Sequence, residues 1–158
     1  MRAGVIVQDL EAVRIRGPWQ SAEVVAFLEQ EHTPLRLALN GHDGFPLVAS
    51  LWFSYDQGAL WCATHQDSLV ARRLAADPRA AFEVSVSEPP YYGVRGQAVV
   101  ERLPEQGQEK LEAMLKRYLG SHDSKLARWL LSRGDEEVAL RIRPKWMTSW
   151  DYRERMGA

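Results

Sequence analysis

This chain offers little to disulfides, metals or charge-driven partners. Only one cysteine, Cys62, occurs among 158 residues, so no intrachain disulfide can form and a reducing, cytoplasmic compartment is expected. Twenty lysines and arginines nearly balance 21 aspartates and glutamates, for a formal net charge of −1. The signs are interspersed, which leaves no electrostatic footprint for nucleic acid or an anionic membrane surface, and neither is expected as a partner. No apolar run reaches the length of a membrane span, and Met1 to Leu10 lacks the hydrophobic stretch of a signal peptide. His32, His42, His65 and His122 show no ligand spacing, so no metal site is expected. A Gly-x-Ser-x-Gly elbow, a phosphate-loop lysine and a glycine-rich dinucleotide fingerprint are all missing, which disfavours hydrolase, kinase and ordinary Rossmann dehydrogenase chemistry. The length suits one domain spanning residues 1–158.

What is present is an order of short elements. Ser21 to Gln30 carries Val24, Phe27 and Leu28 at helical spacing behind a serine cap, with Glu23 in the first turn, and Thr33-Pro34 stops it. Leu35, Leu37 and Leu39 alternate as a half-buried strand. Tyr55-Asp56-Gln57-Gly58 is a turn between two apolar runs, so its flanks pair as a hairpin whose second strand ends at Thr64. Leu69 to Ala76 is a short helix closed by Asp77-Pro78. Phe82, Val84 and Val86 alternate as a strand, and Tyr91 to Leu103 is a long one, with Gly93 and Gly96 marking a bulge, a bend or a close approach.

Leu111, Met114, Leu115, Tyr118 and Leu119 form one face of a helix that Gly120 ends. A second helix begins near Ser124 with Leu126, Trp129 and Leu130 on one face. Val138, Leu140 and Ile142 make the last strand; Pro144 should break it before Trp146, Thr148 and Trp150 resume a period of two. Five or six antiparallel strands with interposed helices suggest a small barrel rather than a doubly wound sheet.

Thr64, Ser68, Arg72 and Arg73 stand out as an anion cradle. A strand-ending hydroxyl feeds a helix start, Ser68 and Arg72 share a helix face, and helix N-termini offer free amides. The plainer reading makes Ser68 a cap and the arginines solvated. Cys62 reads as a small buried hydrophobe. Trp52 and Trp61 either stack on a ligand ring or fill the barrel, filling being the favoured role.

Gly44-x-Pro46 before the second strand, Tyr55-Asp56-x-Gly58 at the turn, Thr64-x-x-x-Ser68 before the helix, Asp77-Pro78-Arg79 after it and Gly93-Val94-Arg95-Gly96-Gln97-Ala98 together resemble the pyridoxamine 5'-phosphate oxidase-like family of FMN-binding split β-barrels. The resemblance covers about His32 to Val100, and more loosely Ile142 to Asp151. It implies a mainly β (α+β) fold, a six-stranded antiparallel split β-barrel with short peripheral helices. It also implies a homodimer with the cofactor between subunits, and hydride transfer between FMN and a small organic substrate. Coenzyme F-420, a deazaflavin, and a non-catalytic flavin-, haem- or ligand-binding stress protein are the alternatives.

By the resemblance, the backbone from Val48 through Ser50 to Leu51 runs along the flavin ring. The resemblance places Thr64 and Ser68 at the phosphate end, where Arg72 or Arg73 would supply the charge and His65 follows Thr64, and Trp146 or Trp150, beside Lys145, near the cofactor of the opposite subunit. Arg95 and Gln97 either face the ring or form a solvated strand face. Two departures stand: the family's phosphate-gripping lysine is Val70 here, and an arginine at the start of the second strand is Val48. No catalytic side chain is identified.

Overall fold

The computed structural model describes residues 13–157; the reading of Met1 to Leu10 lies outside them. Eight strands and four α-helices follow in the order β1 (Arg14–Arg16), α1 (Ser21–Gln30), β2 (Leu35–Asn40), β3 (Pro46–Leu51), β4 (Ser54–Asp56), β5 (Ala59–His65), α2 (Leu69–Ala76), β6 (Arg79–Ser85), β7 (Tyr92–Leu103), α3 (Gly107–Leu119), α4 (Lys125–Leu131) and β8 (Glu137–Asp151). One sheet runs β3-β2-β6-β7-β8-β5-β4, with β1 added to β8 in parallel. This is the split-barrel α+β fold, built from eight described strands where six were expected. The two extra ones, β1 and β4, are three-residue pieces too short to leave an alternation in sequence.

Local chemistry explains most boundaries. The hairpin between β4 and β5 turns on Gln57 (φ 49°) and Gly58 (φ 75°), with Asp56 opposite Ala59; two positive φ angles in a two-residue loop match the right-handed twist of the strands. Ser68 caps α2 by accepting from the Ala71 amide at 3.1 Å. Gly120 takes the left-handed conformation (φ 74°) that ends α3. Ser21 is not the cap of α1 but its first residue; the cap is Gln20, whose amide donates to the Glu23 carboxylate at 2.8 Å.

Leu35, Leu37, Leu39, Phe53, Leu60, Phe82, Val84, Val94, Leu140, Ile142 and Met147 form the main core inside the curl, with Val24 and Leu28 of α1 packed in. A second apolar layer lies between α3 and the outside of β5 and β8, where Trp61 and Ala139 meet Met114. Trp61 is buried there with the Lys110 ammonium 4.0 Å above its ring, a filling role.

Two expectations fail for geometric reasons. Pro144 does not break β8: Gln97 faces Trp146 while Ala98 faces Pro144, so Lys145 is an extra residue in a bulge. The bulge also inverts the alternation. Val138, Leu140 and Ile142 point inward before it, and Met147 and Ser149 do so after it, which turns Trp146 and Trp150 to the other face. In α4 the buried residue is Ala127, packed on Leu111 and Leu115, whereas Leu126 (47%) and Trp129 (53%) are exposed. Close approach of α4 to α3 requires a small side chain at the contact, so the large apolar face is left outward.

Glycine makes two such approaches possible. A Cβ on Gly96 would lie 2.2 Å from the Trp146 carbonyl oxygen, and one on Gly107 only 1.9 Å from that of Glu137. Gly107→Ala is therefore expected to destabilise the fold by about 1–3 kcal/mol through forced backbone displacement, read as a shift in the urea midpoint. Gly120→Ala meets nothing within 4 Å and should lose about 1–2 kcal/mol from its left-handed backbone alone.

Candidate functional site

The β3 strand ends at Leu51 and β5 at His65, and both ends open onto one cavity of about 350 Å³. Its lining comprises Ser50, Leu51 and Trp52, then Ala63, Thr64 and His65, roofed by Leu111 and Met114 of α3 and by Trp129, Leu130, Arg133 and Glu137 around α4 and the start of β8. Trp52 stacks on Tyr118 with centroids 5.0 Å apart, and the Tyr118 hydroxyl accepts from the Phe53 amide at 3.2 Å. These contacts fix one wall.

His65 is held at both ring nitrogens. Nδ1 accepts from the Asp67 amide at 3.1 Å, which places the proton on Nε2, and Nε2 donates to Glu136 Oε2 at 2.9 Å. The turn is pinned further by the Gln66 amide donating to the Glu136 carbonyl at 2.8 Å. The hydrogen bond from His65, aided by Arg133, holds the Glu136 carboxyl below the usual carboxylate range. Arg133 lies over the Trp129 ring at 4.9 Å, and its Nε sits 3.5 Å from Glu136 Oε2.

Glu137, directly opposite His65 in the β5–β8 ladder, is 8% exposed, and its carboxyl makes no hydrogen bond among the described residues. Burial pushes its carboxyl above the ordinary range, against the opposing pull of His65 and Arg133.

Of the candidate site residues singled out from sequence, the fold brings Ser50, Leu51, Trp52, Thr64 and His65 to this cavity. Ser68 lies beside it without lining it: its hydroxyl accepts both the Thr64 hydroxyl, at 3.0 Å, and the Ala71 amide. Arg72 is exposed on α2. Arg73 is turned toward the end of β2, its Nε donating to the Asn40 carbonyl at 3.0 Å. Val48 and Trp146 belong to a second trough of about 330 Å³ on the exposed face of the sheet, floored by Ala38 and Ala81. There the Trp146 Nε1 donates to Gln97 Oε1 at 3.0 Å, and Arg95 covers the Trp150 ring at 5.4 Å.

Arg133, Glu137 and Trp129 escaped the sequence reading. The one local signal was the four-residue spacing of Trp129 and Arg133, which puts an aromatic and a cation on one side of a helix end.

Because the folded state holds a proton on Glu137 to higher pH than the unfolded chain does, stability should fall as pH rises from the ordinary glutamate value through the raised one. Glu137→Gln is expected to raise the melting temperature over the parent near pH 8 and to leave it unchanged at about pH 4, where both forms are neutral. Equal melting curves at both pH values would remove the argument.

The sequence matches the pyridoxamine 5'-phosphate oxidase family over residues 21–151. No curated protein sequence matches. Similar solved structures include a conserved hypothetical protein of Mycobacterium tuberculosis, at 26% identity and TM-score 0.74 over 87% of this chain and 88% of that one. An F-420 reductase follows at 22% identity and TM-score 0.65, covering 76% of this chain and 92% of the other. The haem storage protein HutZ of Vibrio cholerae shares 19% identity and TM-score 0.59 over 76% and 87%. With the family match extending through every β-strand from β2 to β8, the chain belongs to the pyridoxamine 5'-phosphate oxidase family.

Proposed function

We propose that this protein is a flavin-dependent oxidoreductase: one split-barrel domain that dimerises, binds FMN and serves hydride transfer to or from a small organic substrate in the cytoplasm. One observation carries the reading, the convergence of Ser50, Leu51, Thr64 and His65 on a cavity that Trp52, Trp129 and Arg133 complete. Two hydroxyls, an imidazole, aromatic surface and a guanidinium suit a planar ring with an anionic tail, and the volume lies within the range usual for small-molecule sites. The flavin, when bound, supplies the redox chemistry, and the protein supplies orientation, electrostatics and a shaped pocket. Ser50 and Thr64 offer hydroxyls to the ligand, the Trp52–Tyr118 stack keeps its wall rigid, and Leu111, Met114 and Leu130 exclude water.

The exposed sheet face supports the dimer. Val48 is 70% exposed on edge strand β3, and the cross-strand row Val48, Ala38, Ala81, Gln97, Trp146 that it begins is uncharged. The adjoining row sets Glu83 between Arg36 and Arg95, a pattern of alternating sign that a two-fold axis can make self-complementary.

Coenzyme F-420 is the second reading, favoured by Val70 where the family grips phosphate with lysine and by the fold shared with an F-420 reductase. Haem is less well supported, because both nitrogens of the cavity histidine are already engaged.

Titrating purified apoprotein into FMN should quench flavin fluorescence to saturation. Tight binding of the deazaflavin with no FMN response would select the second reading. In sedimentation equilibrium the mass should be that of a dimer; a monomer at micromolar concentration would refute the assembly.

A further inference from the structure

We propose that Arg133 is the residue that holds the anionic tail of the cofactor, either the phosphate of FMN or the acidic tail of a deazaflavin, and that α2 does not. The inference rests on the functional reading above and moves to Arg133 the charge that the sequence reading placed on Arg72 or Arg73. Val70, at the family's lysine position, is apolar and packs against the main core. Arg73 is turned toward the end of β2, where its Nε donates to the Asn40 carbonyl, and neither it nor the exposed Arg72 lines the cavity. Ser68, whose hydroxyl accepts from Ala71 at the α2 cap, carries no charge and does not line the cavity.

Arg133 has what those arginines lack. It lines the cavity together with Ser50, Thr64 and His65. Its guanidinium is fixed by stacking over Trp129 at 4.9 Å and by Nε lying 3.5 Å from Glu136. The two terminal nitrogens make no hydrogen bond among the described residues, which leaves a preorganised fork of the geometry that suits phosphate and carboxylate oxygens. The ionised Glu136 engages Arg133 on its Nε side only and also accepts from His65 Nε2, and burial disfavours the charged form of Glu137, so the terminal nitrogens keep their donors for a ligand anion.

The test compares FMN with riboflavin, which lacks the phosphate, across the parent and the variants Arg133→Ala, Arg133→Lys, Arg72→Ala and Arg73→Ala. Fluorescence titration gives the dissociation constants, and apoprotein melting checks the fold. Arg133→Ala should weaken FMN by about 10- to 150-fold, the range for loss of a charge-assisted hydrogen bond, while riboflavin affinity stays unchanged. Arg133→Lys should lose less, keeping a point charge without the fork, and the two α2 variants should bind FMN like the parent.

Equal weakening of FMN and riboflavin in Arg133→Ala would make Arg133 a packing residue and overturn the inference. A loss confined to Arg72→Ala or Arg73→Ala would return the charge to α2 and overturn it too. If the parent binds both flavins equally, the anion site is wrong while the flavin reading stands. If the parent binds neither flavin, the same variants are titrated with coenzyme F-420: a selective loss in Arg133→Ala sustains the anion site and changes the cofactor. Binding of none of these molecules overturns the functional reading and the inference together.

Discussion

The architecture depends on one strand being in several ladders at once. β8 pairs with β7 along nearly its whole length, with β5 through its first six residues and with β1 near its end. It therefore joins the two arms of the sheet. A slip of one residue in such a strand would exchange every inward side chain for an outward one, at the cost of burying the wrong set. The bulge at Lys145 makes that exchange once, by design of the register: Ile142 faces the core before it and Met147 after it. Gly96 on β7 lets the partner backbone come close enough for the bulged ladder to form.

From this register the rest of the functional geometry follows. The first residue of β8, Glu137, sits opposite His65 because the β5–β8 ladder begins there, and its carbonyl packs against Gly107 at the start of α3. The connection that carries α4 and Arg133 must then return to the same end of β5. Four segments far apart in sequence thus contribute to one cavity: the end of β3, the end of β5, the first half of α3 and the turn after α4. Arg117 adds a tie between the outer helices, its guanidinium donating to the Glu29 and Leu28 carbonyls that α1 leaves unpaired at its C-terminus.

The site is built with uneven satisfaction. His65 has both nitrogens occupied, so its tautomer is set before any ligand arrives. Glu137 is the reverse: its side chain is mostly removed from solvent and makes no hydrogen bond among the described residues, which disfavours its charged form. No helix among the described residues is long and apolar enough to cross a membrane. Val48, Leu126 and Trp129 are large apolar side chains exposed on the sheet and on α4.

Local signals in the sequence were enough for the elements whose cause is local. The Ser68 cap, the Gly120 stop and the alternation in Leu35, Leu37 and Leu39 each act over a few residues, and the structure shows them at those positions, while the Tyr55-Asp56-Gln57-Gly58 turn is narrowed to Gln57-Gly58 with Tyr55 and Asp56 in β4. The order of these pieces was also sufficient for the family. Strands β1 and β4 were not legible because three residues carry no period. Nor was the inversion of β8, since Trp146, Thr148 and Trp150 continue the even numbering of Val138, Leu140 and Ile142 and only pairing with β7 reveals the extra residue between them. The sequence reading held Ser50 and Leu51 apart from Thr64 and His65 and grouped the latter with Ser68, Arg72 and Arg73; their meeting in one cavity with Arg133 and Glu137 was not legible. The nearness of Arg133 and Glu137 to Thr64 is created by long-range pairing and helix packing, and nothing in a chain's local chemistry encodes which distant cation the fold will carry to the end of a strand.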